Sequence, residues 1–171
     1  MAALTAGDLD FKDNIGALSA LLEKGGSKTM LSKLMDLAKS DEIDLEGRRG
    51  VLTGIAGIGG EGELRAIFEP GFHRSAENHA LALAALNAAS ASRTVKPEGD
   101  LAVVLRSALR SDQADLSEQA LGLIGRWRVS GLHGDVVALV DNTRAAMPTR
   151  LAAVRALGLL GGDDSQRLAK L

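Results

Sequence analysis

The chain has 171 residues, 46% of them hydrophobic and 25% charged, with a formal net charge of −2. It contains no Cys and no Tyr, and only three His, three Phe and one Trp. That is enough apolar material for one domain-sized core, and it excludes disulfides, thiolate metal sites, c-type haem attachment and a cysteine nucleophile within these residues. No apolar run approaches the roughly 20 residues that span a bilayer. The opening Met1-Ala-Ala-Leu-Thr-Ala-Gly-Asp8 lacks the basic and apolar regions of a secretory signal. Localisation therefore stays open, cytoplasmic by default and exported if the chain is part of an exported protein. Lysine dominates residues 1–46 and arginine nearly everything after, yet neither forms the dense block of a nucleic-acid-binding tail.

Apolar spacing predicts helices near 13–24, 28–40, 45–59, 62–69, 75–91, 98–110, 115–130, 134–146, 148–160 and 164–171. Leu31, Leu34, Met35 and Ala38 share one helix face. Leu101, Val104, Leu105, Ala108 and Leu109 fall at i, i+3, i+4, i+7 and i+8. Leu116, Ala120, Leu123, Ile124 and Trp127 repeat the pattern, and Val136, Leu139 and Val140 follow it, with Thr143 at a polar end. No stretch alternates with period two, so the expected class is all-α. Punctuation agrees. Gly25-Gly26, Gly59-Gly60 and Gly161-Gly162 follow periodic runs, where left-handed C-caps favour glycine. Pro70-Gly71 stops the run Leu64–Ile67–Phe68, Pro97 and Pro148 sit where helices begin, and Asp115 with Glu118 resembles a capping box. Residues 1–171 read as a single domain, with 1–27 an N-terminal arm and capping helix and 28–171 a set of repeats.

The repeats show in the residues themselves. Laying Arg48–Glu61 over Arg150–Asp163 matches Arg48 with Arg150, Leu52 with Val154, Ile55 with Leu157, Ile58 with Leu160 and both Gly-Gly pairs. The offset, the difference between 150 and 48, is 102 residues, or three times 34, within the range of helix-pair repeats. Pro148-Thr-Arg-Leu-Ala-Ala-Val-Arg-Ala-Leu-Gly-Leu-Leu-Gly-Gly162, followed by Asp-Asp, resembles the second helix of a HEAT-like repeat. Glu46-Gly-Arg-Arg-Gly-Val-Leu-Thr-Gly-Ile55 is similar to the same element. The resemblance covers most of residues 28–171 and implies an α-α superhelix, a HEAT-like solenoid of about four to five antiparallel helix pairs. The loose repeats also resemble the HEAT-like region of multidomain proteins of planctomycete-type bacteria, where it sits beside a sugar-dehydrogenase-like propeller and a c-type cytochrome domain. Neither neighbour occurs in this chain. Ser165–Leu171 reads as the first helix of a further, incomplete repeat, which suggests a fragment of a longer protein or an array that docks at its C-terminal end.

Chemistry-bearing motifs are few. Gly57-Ile-Gly-Gly-Glu-Gly62 matches G-x-G-x-x-G, with Glu77 about twenty residues on, but the segment before it fits the repeat helix and no βαβ pattern follows. A turn between helices is the better reading. His73, His79 and His133 lack metal-ligand spacing. There is no G-x-S-x-G elbow, and Ser90-Ala-Ser-Arg-Thr94 reads as a helix end and loop. Asp36, Asp41, Glu42, Asp44 and Glu46 lack the glycine and spacing of a calcium loop and read as a solvated link favouring the next helix N-terminus. No cofactor, metal or catalytic residue is expected.

In HEAT-like folds the second helices line the concave side, so the resemblance implies that Arg48, Arg49, Arg126, Arg128, Arg150 and Arg155 contribute to one partner-binding surface. Their plainer reading is pairing with neighbouring acids of their own repeat. Some HEAT-like proteins, alkylpurine DNA glycosylases among them, use such a surface on DNA backbone, but this chain has little aromatic material to stack on a base. Trp127 lies on its helix's apolar stripe and reads as core. The expected function is a non-enzymatic scaffold for protein–protein interaction, whose partner is another protein or an adjoining domain of the same polypeptide. The alternatives are a spacer in a larger exported redox protein and, less favoured, a nucleic-acid-binding HEAT-like protein.

Overall fold

The computed structural model describes residues 28–40, 43–69, 72 and 75–161. Expectations for residues 1–27 (the arm, its helix and Gly25-Gly26), Asp41, Glu42, Pro70-Gly71, His73 and 162–171 fall outside them. Among the described residues the chain is all-helical: α1 (Lys28–Lys39), α2 (Leu45–Ile58), α3 (Glu61–Ala66), α4 (Ala76–Ser92), α5 (Leu101–Leu109), α6 (Ala114–Arg126), a 3-10 turn (Ser130–Leu132), α7 (His133–Asp141) and α8 (Met147–Leu160). None of them is long and apolar enough to cross a membrane.

Where helix ends differ from the expected ones, local chemistry explains it. Asp100, not Pro97, starts α5, because its Oδ1 accepts the N–H of Ala102 at 2.9 Å and of Val103 at 3.4 Å. Pro97 lies instead in the link before α5. Gln113 precedes α6 without a side-chain cap, so Asp115 and Glu118 form no capping box. The run expected to reach residue 130 stops at Arg126, since Arg128 adopts φ +52°. Val129 N–H then bonds Ile124 O at 3.0 Å and Arg128 N–H bonds Gly125 O at 3.2 Å, the paired bonds of a Schellman end. With arginine where glycine is usual, that end carried no sequence signal. α7 closes at Asp141 because Asn142 Oδ1 accepts the Arg144 N–H at 3.0 Å and turns the chain. Gly161 is left-handed as expected at φ 74°, but Gly59 is extended at φ −61°. Glycine is needed at 59 for space: a Cβ would stand 2.7 Å from Ile55 O.

The longer helices α2, α4, α6 and α8 share one burial register. Counting from each first helical residue, position 7 is Val51, Ala82, Ala120 and Ala153, and position 11 is Ile55, Leu86, Ile124 and Leu157, all buried. Position 10 is Gly54, Ala85, Leu123 and Ala156, again buried, and position 14 is Ile58, Ala89, Trp127 and Leu160, each packed at the core edge. This 7, 10, 11, 14 spacing is the apolar stripe of a surface helix. The residues belong to one continuous core, formed mainly by α2 on α4, α4 on α6 and α6 on α8. The shorter helices flank that row: α1 packs on α2, α5 on α6 and α7 on α8. The starts of α2 and α8, at 45 and 147, are 102 residues apart, the offset between the two matched sequence segments.

Glycines let the row close up at α6. A Cβ on Gly122 would stand 2.5 Å from Asn87 Oδ1 of α4, and one on Gly125 3.0 Å from Ala156 Cα of α8. Trp127 stacks edge-on against Phe68, with ring centroids 6.4 Å apart, and its half-buried indole sits at the core edge.

Candidate functional site

The six arginines singled out in the sequence do not gather on one surface. Arg48 is 5% exposed, and its guanidinium donates to the carbonyls of Ala38 and, at 2.7 Å, of Ser40, at the end of α1. Arg150, its sequence match, donates from Nε to Val140 O at 3.3 Å, at the end of α7. In both cases a cation at position 4 of a long helix reaches ten residues back to a carbonyl that lacks an intrahelical donor. Ser117 holds the same position in α6, and its hydroxyl donates to Leu109 O at 3.1 Å, at the end of α5. His79 is its counterpart in α4 and is half-buried.

A second set of polar side chains joins one long helix to the next. Arg93, read in the sequence only as part of a helix end and loop, ends α4 and donates to Ala56 O at 2.6 Å and Gly59 O at 2.7 Å, closing the end of α2. Asn87 of α4 donates to Gln119 O at 2.7 Å and to Gln119 Oε1 at 2.9 Å. Arg126 of α6 donates back to Asn87 O and, at 3.3 Å, to Ser90 Oγ. Thr149 of α8 donates to Glu118 Oε1 of α6 at 3.3 Å. Among the shorter helices, Asp135 of α7 accepts from Arg106 at 3.4 Å and Arg110 at 3.0 Å of α5. What most of these arginines share is a carbonyl at a helix end or on a neighbouring helix; the expected pairing with an acid of the same repeat is seen, among the described residues, at Arg49 with Glu46, whereas Asp135 pairs from α7 to Arg106 and Arg110 of α5. The recurrence of a polar residue at position 4 was the signal available in the sequence for the first set.

The rest stay at the surface. Arg49 is exposed and lies 3.6 Å from exposed Glu46, one turn away. Arg126, Arg128 and Arg155 are exposed. They lie on or beside the solvent face of the long helices, where positions 9 and 13 are Thr53, Ala84, Gly122 and Arg155, then Gly57, Ala88, Arg126 and Leu159. The floor of that face is small residues, with Arg126, Arg155 and Leu159 clustered toward its α6–α8 end.

The G-x-G-x-x-G segment joins α2 to α3, with a helix on each side, and no strand occurs among the described residues. Glu63 Oε2 accepts the Gly60 N–H at 2.9 Å there, so Glu63 closes the start of α3. His133 begins α7 and His79 lies in α4, and no group of three or more His, Asp or Glu with metal-holding geometry occurs among the described residues.

Comparison with protein families, with curated proteins and with solved structures finds no match to this chain.

Proposed function

We propose that the chain is a HEAT-like α-solenoid, a stack of helix pairs that serves as a protein-interaction scaffold and performs no chemistry of its own. The observation that supports this most is the shared register. Four long helices bury the same positions and pack in chain order, α2 on α4 on α6 on α8, and a shorter helix packs beside α2, α6 and α8. Stacked units of this kind bury a core only with their neighbours and leave an extended face free. That face is the one built from positions 9 and 13, and the partner contacts centre on Arg126, Arg128, Arg155 and Leu159. Arg48 and Arg150, spent on helix ends, contribute to folding.

A photo-reactive residue at Ala88, on this face, and another at exposed Val103 of α5, on the flanking row, test the reading in cells that make the protein. The expected result is a discrete protein adduct from Ala88, lost when Arg126 and Arg155 are reversed to Glu, and no such adduct from Val103. Adducts of equal yield from both positions contradict a dedicated face. Salt-sensitive retention on DNA, abolished by the same reversals, would replace the protein partner with nucleic acid.

A further inference from the structure

Like charges gather at one place on the exposed face of the long helices. Where α6 meets α8, Gly125 lets the two helices close up: a Cβ there would stand 3.0 Å from Ala156 Cα and 3.1 Å from Leu159 Cβ. The chain neighbours of that contacting pair are Arg126 and Arg155, with Arg128 two residues past Arg126, and all three are exposed. Elsewhere Arg48, Arg93 and Arg150 are held by carbonyls, and Arg49, Arg106 and Arg110 by acids. The side chains of Arg128 and Arg155, by contrast, have no hydrogen bond or ion pair among the described residues. Arg126 commits only Nη1, to Asn87 O and Ser90 Oγ of α4, which leaves the N–H groups of Nε and Nη2 unused. The local sequence supplies no counter-charge: Gln119–Gly134 and Asn142–Gly162 hold five arginines and no Asp or Glu. Cations brought together in this way repel one another, and an anionic ligand relieves the repulsion.

We propose that the partner of this face is an acidic protein segment, which seats carboxylates on Arg126, Arg128 and Arg155 and an apolar side chain on Leu159. A guanidinium fork takes a carboxylate in a two-pronged, charge-assisted pair. Leu159, 50% exposed and one turn beyond Arg155, offers an apolar contact beside those charges. The same face disfavours a long polyanion. Position 2 of α2, α4 and α6 is Glu46, Glu77 and Asp115, all exposed and on the side of each helix that carries positions 9 and 13. Nucleic acid, with one charge per roughly 1.7 Å of duplex, would meet these acids wherever it followed the row. A protein segment can confine its acids to the α6–α8 end. The proposal rests on the scaffold reading given above and narrows it by naming the partner's charge.

The test titrates the intact chain against a labelled peptide of about 18 residues repeating Glu-Glu-Ala-Leu-Ala-Ala, the same peptide with Lys for each Glu, and a DNA duplex of about 20 base pairs, in roughly 50 mM salt. Fluorescence anisotropy should show the acidic peptide bound at least about tenfold more tightly than the other two. Arg128→Glu with Arg155→Glu should abolish that preference and transfer it to the lysine peptide, with far-UV circular dichroism unchanged. Lys33→Glu with Lys96→Glu, the same change in net charge at exposed sites on α1 and in the link before α5, should leave the preference intact. Equal affinity for the two peptides, or tighter binding of DNA than of either, overturns the acidic partner; the scaffold reading stands if the Ala88 adduct still forms, and loss of that adduct as well would remove both. Peptide binding that appears only after Asp163→Asn with Asp164→Asn also overturns it, since the chain's own acids would then be the occupant.

Discussion

Single residues in this molecule act in opposite directions at equivalent places, and that is where stability measurements are most informative. Gly125 and Gly158 both occupy position 12 of a long helix. Gly125→Ala puts a methyl group 3.0 Å from the Ala156 backbone and should destabilise by about 1–3 kcal/mol in urea unfolding. Gly158→Ala meets open space within a helix and should stabilise by about 0.5–1 kcal/mol. Arg48 and Arg49 are adjacent with equally contrasting roles. Arg48→Ala removes two charge-assisted bonds, one buried at Ala38 O and one part-buried at Ser40 O, and should cost about 3 kcal/mol, while Arg49→Ala breaks an exposed pair with Glu46 and should change stability by less than about 0.5 kcal/mol. Arg128 is held at φ +52°, a conformation that costs a non-glycine residue roughly 1 kcal/mol. Arg128→Gly should therefore stabilise the fold modestly, by up to that amount, while weakening partner capture if the residue serves the binding face.

At the scale of elements, the helices were legible in the sequence and several of their ends were not. α2 and α8 were recognisable because a buried stripe at positions 7, 10, 11 and 14 needs many apolar residues in fixed spacing, and those residues dominate their sequences. The ends of α5, α6 and α7 are fixed by single side chains. Asp100 caps α5, Asn142 turns the chain after α7, and Arg128 takes the left-handed place usually left to glycine. Periodicity cannot report such choices. The arginines were legible as a recurring set but not in their role, because the carbonyls they satisfy belong to helices ten or more than thirty residues away. Asp135 shows how such links join elements: it holds both Arg106 and Arg110, tying α7 to α5. Asp135→Asn should lower stability by about 1 kcal/mol at low salt. The difference from the parent protein should shrink at about 1 M salt, where exposed charges are screened within about 3 Å.

Across the whole molecule, the row α2–α4–α6–α8 decides between two very different arrangements of the same helices. In a stack, each long helix meets only its neighbours in the row, and the ends lie far apart; in a closed bundle, α2 and α8 would also be neighbours. The absence of cysteine makes the distinction directly measurable, because introduced cysteines are the only thiols to label. Spin labels at pairs drawn from Gly57 of α2, Ala88 of α4 and Arg155 of α8, all exposed, report the distances by pulsed electron resonance. With about 10 Å between packed helix axes, the 57–88 pair should be shortest, the 88–155 pair longer, and the 57–155 pair longest at about 30 Å. A 57–155 distance no greater than the 57–88 distance would mean a closed bundle and would contradict the stacked scaffold.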